Sequence, residues 1–133
     1  MQIKRFGVSL EDEMLTKLDK LVSSKKFPNR SQALRFLINN YEVDEKWQKN
    51  QEVAGAIVMV YDHHKKELQT KSVGIQHDYH DLILSVQHVH LNHDNCLETI
   101  AVKGKSNKLI DLADRLKGIK GMKHVRFVMS VTG

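Results

Sequence analysis

Cysteine occurs once among the 133 residues, proline once, and aromatic side chains make up only 6% of the chain. A single thiol excludes an internal disulfide, and in a reducing compartment it reads as a ligand or a nucleophile rather than a staple. There is no run of about 18 apolar residues, and no charged-then-apolar leader opens the chain, so the expectation is a cytoplasmic protein without a membrane span. Low-complexity tracts and short repeat arrays are also missing. What remains is ordinary globular composition, 41% hydrophobic and 28% charged, enough for one medium domain or two very small ones. The formal charge of +5 and pI near 9.3 lean mildly toward a polyanionic partner, although charge alone decides nothing.

The first forty-odd residues read as strand, helix, turn, helix. Phe6, Val8 and Leu10 alternate with Arg5, Gly7 and Ser9, the period-two pattern of a half-buried strand. Met14, Leu15, Leu18, Leu21 and Val22 then recur at helical spacing behind an acidic first turn. The lone proline breaks the chain in KKFPNRS, where Asn29 and Ser31 are candidate N-caps for a second helix striped by Leu34, Leu37, Ile38 and Tyr41. Such a unit, residues 1–42, is too small to stand alone, and it has no histidine or cysteine with which to bind a stabilising metal. Its single strand has two open edges, so pairing with a second copy is the economical solution and predicts an intertwined dimer. Residues 43–52, polar apart from one tryptophan, read as a linker.

From residue 53 to 133 the pattern becomes strand, helix, strand, strand, helix, strand, which predicts an α+β domain of βαββαβ order, an antiparallel sheet with both helices on one face. The stretch QHVHLNHDNC carries its chemistry. On a strand His88 and His90 point to the same face, separated by roughly 7 Å of rise. A hairpin turning about His93 sets residue 90 opposite 96 and residue 88 opposite 98, gathering His88, His90, Cys96 and Glu98 on one face. Glu98 would then orient the free ring N–H of His88. Two imidazoles and a thiolate suit zinc, copper or nickel, yet three ligands are one short of a closed four-coordinate site. The preceding helix turns Leu68, Ser72, Ile75 and Tyr79 to its own sheet and so directs His77 and His80 away, toward solvent or another subunit. Spacing does not choose between those two. Taken one at a time, His63, His64, His93 and His124 read as surface or core-satisfied residues.

A second candidate element lies at the start. Two copies of the first strand, paired antiparallel, project Arg5, Gly7 and Ser9 from an outer face that fits the major groove, where arginine pairs with guanine. The turn Asn29, Arg30, Ser31 presents free helix N–H groups to a phosphate.

With these residues in hand, the chain resembles the nickel-responsive transcriptional repressor family, NikR, over essentially its full length. The resemblance rests on RFGVSL and NRSQALRFL at the start and on VYDHH, QHDYHD, HVHLNHDNCLE and VKG further on; the histidine pair with cysteine six residues later and an upstream QH is its most specific part. It implies an N-terminal ribbon-helix-helix (βαα, dimeric) followed by a ferredoxin-like, ACT-type domain. It also implies one nickel(II) per subunit in a planar site of His88, His90 and Cys96 with His77 from the neighbouring chain, a homotetramer built as a dimer of dimers, and double-stranded DNA as partner at a palindromic operator controlling nickel uptake. Two departures stand out: Gly7 replaces a threonine frequent in the family's ribbon, and Gln32 and Phe36 replace acidic residues that in some members help bind potassium. The rival readings are a small metalloenzyme, for which no general base is well placed, and a zinc-stabilised ACT-type ligand-sensing regulator, which leaves the histidine and cysteine cluster unexplained.

Overall fold

A computed structural model describes all residues, 1–133, in the order α1 (Asp12–Ser24), α2 (Arg30–Gln48), β1 (Glu52–Asp62), α3 (Lys66–Asp78), a 3-10 turn (His80–Leu82), β2 (Ile83–His90), β3 (Asn95–Lys105), α4 (Ser106–Lys117) and β4 (His124–Ser130). No helix is long and apolar enough to cross a membrane. The chain divides into two compact units, Met1–Tyr41 and Glu42–Gly133.

In the first unit, α1 opens with Asp12 and Glu13, whose charges oppose the positive end of the helix dipole. It stops where Lys26 enters the left-handed region at φ 57°, and Pro28 follows. α2 begins behind Asn29, whose side-chain oxygen accepts the N–H of Gln32 at 2.9 Å, so of the two candidate caps Asn29 is the one used. Arg30 grips Asp19 of α1 with two N–H groups, at 2.8 and 3.0 Å, and Phe27 packs its ring 5.2 Å from that of Phe36. The strand expected over residues 5–10 is not formed in a single chain: residues 1–11 make no ladder, and Phe6 and Val8 are 78% and 58% exposed. A strand is stable only when its backbone groups are paired, and one chain supplies no second edge here.

The second unit is a four-stranded antiparallel sheet in the order β2-β3-β1-β4 with α3 and α4 against one face. Burial alternates along β1 and β3, so Val53, Ile57, Met59 and Tyr61 share the inner face with Cys96, Glu98, Ile100 and Val102. Leu68 of α3 and Leu109, Leu112 and Leu116 of α4 fill the layer above. Each such aliphatic side chain contributes about 1.5–3 kcal/mol relative to exposure. Gly55 lets β4 come close; a Cβ there would stand 2.4 Å from the carbonyl oxygen of Val128.

The polar segment 43–52, expected as linker, is helical as far as Gln48, and its tryptophan explains why. Trp47 is buried against the sheet, edge-on to Phe127 at 5.1 Å, with its ring N–H donating to the carbonyl of Ser130 at 2.8 Å. Its own carbonyl accepts the hydroxyl of Ser106. Asn50, at φ 53°, ends the helix, and its side-chain oxygen accepts the N–H of Asn107 at the start of α4.

Candidate metal centre

The β2–β3 hairpin is set by its loop. Asn92 accepts the N–H groups of Asp94 and Asn95 with one side-chain oxygen, at 3.0 and 2.8 Å, a local turn that asparagine favours. The N–H of Leu91 closes the ladder on the carbonyl of Asn95 at 2.9 Å. From that closure the register follows, with His90 opposite Cys96 and His88 opposite Glu98. On the far side of β3, Cys96 faces Tyr61 and Glu98 faces Met59 of β1. All four residues named from the hairpin arithmetic therefore share the inner face of the sheet.

Their surroundings differ. β2 is the outermost strand and is exposed from Leu84 to His90, so the two imidazoles stand in the open with their rings stacked 5.6 Å apart at 13°. Cys96 is wholly buried, and its thiol donates weakly to the carbonyl of Tyr61 at 3.5 Å. Burial pushes the Cys96 thiol above its ordinary pKa, the Tyr61 side-chain hydroxyl beside the sulfur works against this, and the negative charges of Glu98 and Asp62 add to the rise. A protonated sulfur is thus the resting state, and a cation is what would draw the proton off. In one chain the two imidazoles and the sulfur share a face without forming a closed ligand cluster.

Glu98 is 7% exposed, and its carboxylate is held from two directions: Tyr61 donates its hydroxyl at 3.2 Å and Gln76 of α3 its amide at 2.9 Å. Gln76 also reaches the hydroxyl of Ser72. Glu98 sits opposite His88 as expected but does not bond its ring; its two oxygens are taken by Tyr61 and Gln76, partners that no reading of the hairpin alone could find. Desolvation, first, and the charge of Glu98 push the Tyr61 hydroxyl upward, so it stays a donor.

His77, on the side of α3 away from Leu68 and Ser72, and His80, which lies beyond the end of α3 in the 3-10 turn, are both exposed. His80 is occupied: its Nδ1 lies 3.0 Å from the carbonyl of His77 and its Nε2 2.9 Å from Asp81. The His77 ring stacks on that of His80, centroids 5.8 Å apart, and makes no hydrogen bond. A free imidazole one residue from Gln76 is available to another molecule.

A cluster whose members read singly as surface residues, with His64 also a candidate for a weaker external metal site, lies where the β1–α3 turn meets the loop of the hairpin. His64, His93 and Asp94 have ligand atoms all within 4.8 Å of one another. Of the residues proposed for DNA, Arg5, Gly7 and Ser9 are exposed in the unpaired N-terminal segment. Asn29 caps α2, Arg30 is engaged by Asp19, and Ser31 is exposed in the first turn.

Residues 54–130 match the family described as the NikR C-terminal nickel-binding domain. Among curated relatives, a nickel-responsive regulator of Syntrophus aciditrophicus is 47% identical over 98% of this chain and 96% of its own. One of Chlorobaculum parvum is 48% identical over 95% and 94%, and one of Thermococcus onnurineus 43% identical over 100% and 97%. In structure, the chain is similar to the ACT domain of a GTP pyrophosphokinase of Chlorobium tepidum, with TM-score 0.50 and 16% identity over 59% of this chain and all of that domain. It is also similar to an uncharacterised protein of Thermotoga maritima, with TM-score 0.54 and 15% identity over 59% of this chain and 98% of that one. At such identities these two likenesses concern the fold alone, and the fold they share is the βαββαβ sheet.

Proposed function

The chain belongs to the NikR family of nickel-responsive regulators, and from that membership and the hairpin geometry we propose that it is a nickel-dependent, sequence-specific DNA-binding repressor of nickel uptake. The family is one of regulators rather than of enzymes. The observation that carries the reading is the hairpin register, with His90 opposite Cys96 and His88 one pair further along on the same face.

Two imidazoles beside a thiol form a donor set suited to a borderline divalent ion and poorly suited to magnesium or calcium. In this reading one nickel(II) per subunit is held by His88, His90 and Cys96, and His77 of a second chain completes the set. Bound nickel supplies positive charge that makes the buried thiolate stable. Glu98, fixed by Tyr61 and Gln76, sets the electrostatics of the face opposite His88. The His77 ring is exposed and makes no side-chain hydrogen bond, which supports its donation across a subunit boundary.

The assembly is a homotetramer, a dimer of dimers. Its first units pair through residues 5–10, covering Phe6 and Val8 and turning Arg5, Gly7 and Ser9 outward to the major groove of a palindromic operator. Asn29, Arg30 and Ser31 offer helix N–H groups to the phosphate backbone, while the Arg30 side chain braces α1 against α2. Nickel shifts the equilibrium toward the packing in which His77 can reach it, and by linkage operator DNA tightens nickel binding by the same factor.

The test is metal content of the purified protein followed by an operator-shift assay with and without nickel. Nickel at one equivalent per subunit and a nickel-dependent shift are expected. Tightly bound zinc with no DNA response overturns the reading in favour of a structural metal.

A further inference from the structure

We propose that Arg115, Asp111 and Tyr79 are positioning residues for the nickel centre: they clasp the last turn of α3 to α4 and so hold the His77 ring where a neighbouring chain can use it. The inference rests on the ligand set proposed above.

α3 has little of its own to hold its last turn. Of its 13 residues only Leu68 and Ser72 are buried, and a helix of this length takes most of its stability from packing. Beyond Ser72 comes Gly74, with open space where a Cβ would stand, and a glycine inside a helix weakens it. Ile75 and Tyr79 are only partly covered by the core. The turn that carries His77 therefore depends on polar ties.

Those ties surround His77 and leave its ring alone. On the sheet side, Gln76 donates to Glu98 of β3 at 2.9 Å. On the α4 side, the Tyr79 hydroxyl donates to Oδ2 of Asp111 at 3.0 Å, while the Tyr79 N–H closes the helix on the carbonyls of Ile75 and Gln76. The guanidinium of Arg115 lies over the Tyr79 ring, 5.5 Å from its centre, and its Nη1 stands 3.6 Å from Oδ2 of Asp78. His77 thus has a tethered residue on each side in sequence.

α4 is the firm partner. It buries Leu109, Leu112, Ala113 and Leu116, and it presents Asp111 and Arg115, four residues apart, on one exposed face. A lone surface ion pair contributes little. Here one planar guanidinium serves both a carboxylate and a ring that a second carboxylate already holds, a combination that lysine reproduces poorly. A ligand on a turn that opens is available only while the turn is closed, and apparent affinity falls by that fraction. The clasp raises the closed fraction before any ion arrives.

The test uses the full-length protein, nickel as the probe in competition with a chelator, and amide hydrogen exchange without metal. In R115A/Y79F we expect nickel affinity to fall by about three- to tenfold, with the nickel-thiolate absorption band unmoved. Exchange of residues 73–79 should quicken in the metal-free variant while β1 and β3 stay protected, and R115K should recover only part of the loss. In an H77A background the same two substitutions should change nickel affinity no further, which a general loosening of the fold would not produce. Unaltered affinity in R115A/Y79F overturns the proposal, whether or not exchange quickens, and so does an equal loss in the H77A background. If H77A itself binds nickel as the unaltered protein does, the ligand set of the preceding section falls and takes the clasp's role with it.

Discussion

His90 and Cys96 face each other across the β2–β3 ladder, the imidazole in solvent and the sulfur with no exposed surface at all. In the proposed nickel site, a pair so divided would have one member ready and one that binds only after losing a proton.

Replacing that sulfur separates binding from folding. Cys96→Ser puts a hydroxyl where the thiol had only a weak bond of 3.5 Å to Tyr61, at a cost of about 1–2 kcal/mol in stability, measurable as a shift in urea midpoint. The nickel-thiolate absorption band and nickel-stimulated operator binding are both expected to vanish. A variant that retains the band removes Cys96 from the centre.

Acidification acts on the same atom. Because the folded thiol is pushed upward, chiefly by burial, each nickel bound must displace its proton, and affinity falls by about tenfold for each pH unit below the thiol pKa. In the apo protein the sign is opposite. The raised thiol favours the folded state at low pH, and that contribution fades as pH rises through the ordinary cysteine range, where the unfolded chain ionises first. Nickel titrations and denaturation midpoints across pH 6 to 9 check both slopes.

Glu98 is the acceptor for two buried or half-buried donors. Glu98→Ala leaves the Tyr61 hydroxyl and the Gln76 amide without it, and a loss of about 1–3 kcal/mol is expected, whereas Glu98→Gln keeps one carbonyl oxygen and loses less. Equal stability of the two variants contradicts the hydrogen-bond account.

At the N-terminus, the expected readout is protection. Amides of residues 5–10 exchange freely in one chain, and pairing with a second copy slows them, so hydrogen exchange there depends on protein concentration. Arg5→Ala lowers operator affinity by about 1–3 kcal/mol with a smaller loss on random DNA. An equal loss on both recasts Arg5 as a phosphate contact.

Much of this was legible from residue order. Period two along VQHVH and LET, with a turn about His93, suffices to pair 90 with 96 and 88 with 98, because sheet register leaves no intermediate setting. The four-three spacing of Leu68, Ser72, Ile75 and Tyr79 likewise assigns His77 to the outer side of α3, whereas His80, expected on the same helix, lies in the 3-10 turn that follows it. Long-range partners were not legible. Gln76 meets Glu98 and His64 meets His93 only once strands and helices are packed, and nothing local marks either pair. Trp47 was hidden among charged neighbours whose helix exposes them while burying it. Residues 5–10 display their alternation without a ladder in one chain, and the proposed pairing with a second copy would supply it.

The order β2-β3-β1-β4 puts Cys96 on a strand flanked on both sides and His88 and His90 on the margin, tethered along one side only. The result resembles a vice with one fixed jaw: the sulfur is held by strands on both sides and the rings by a strand on one. An ion that demands a different arrangement of donors must bend the fringe of the sheet to obtain it, so discrimination among metals becomes a matter of how stiff that fringe is.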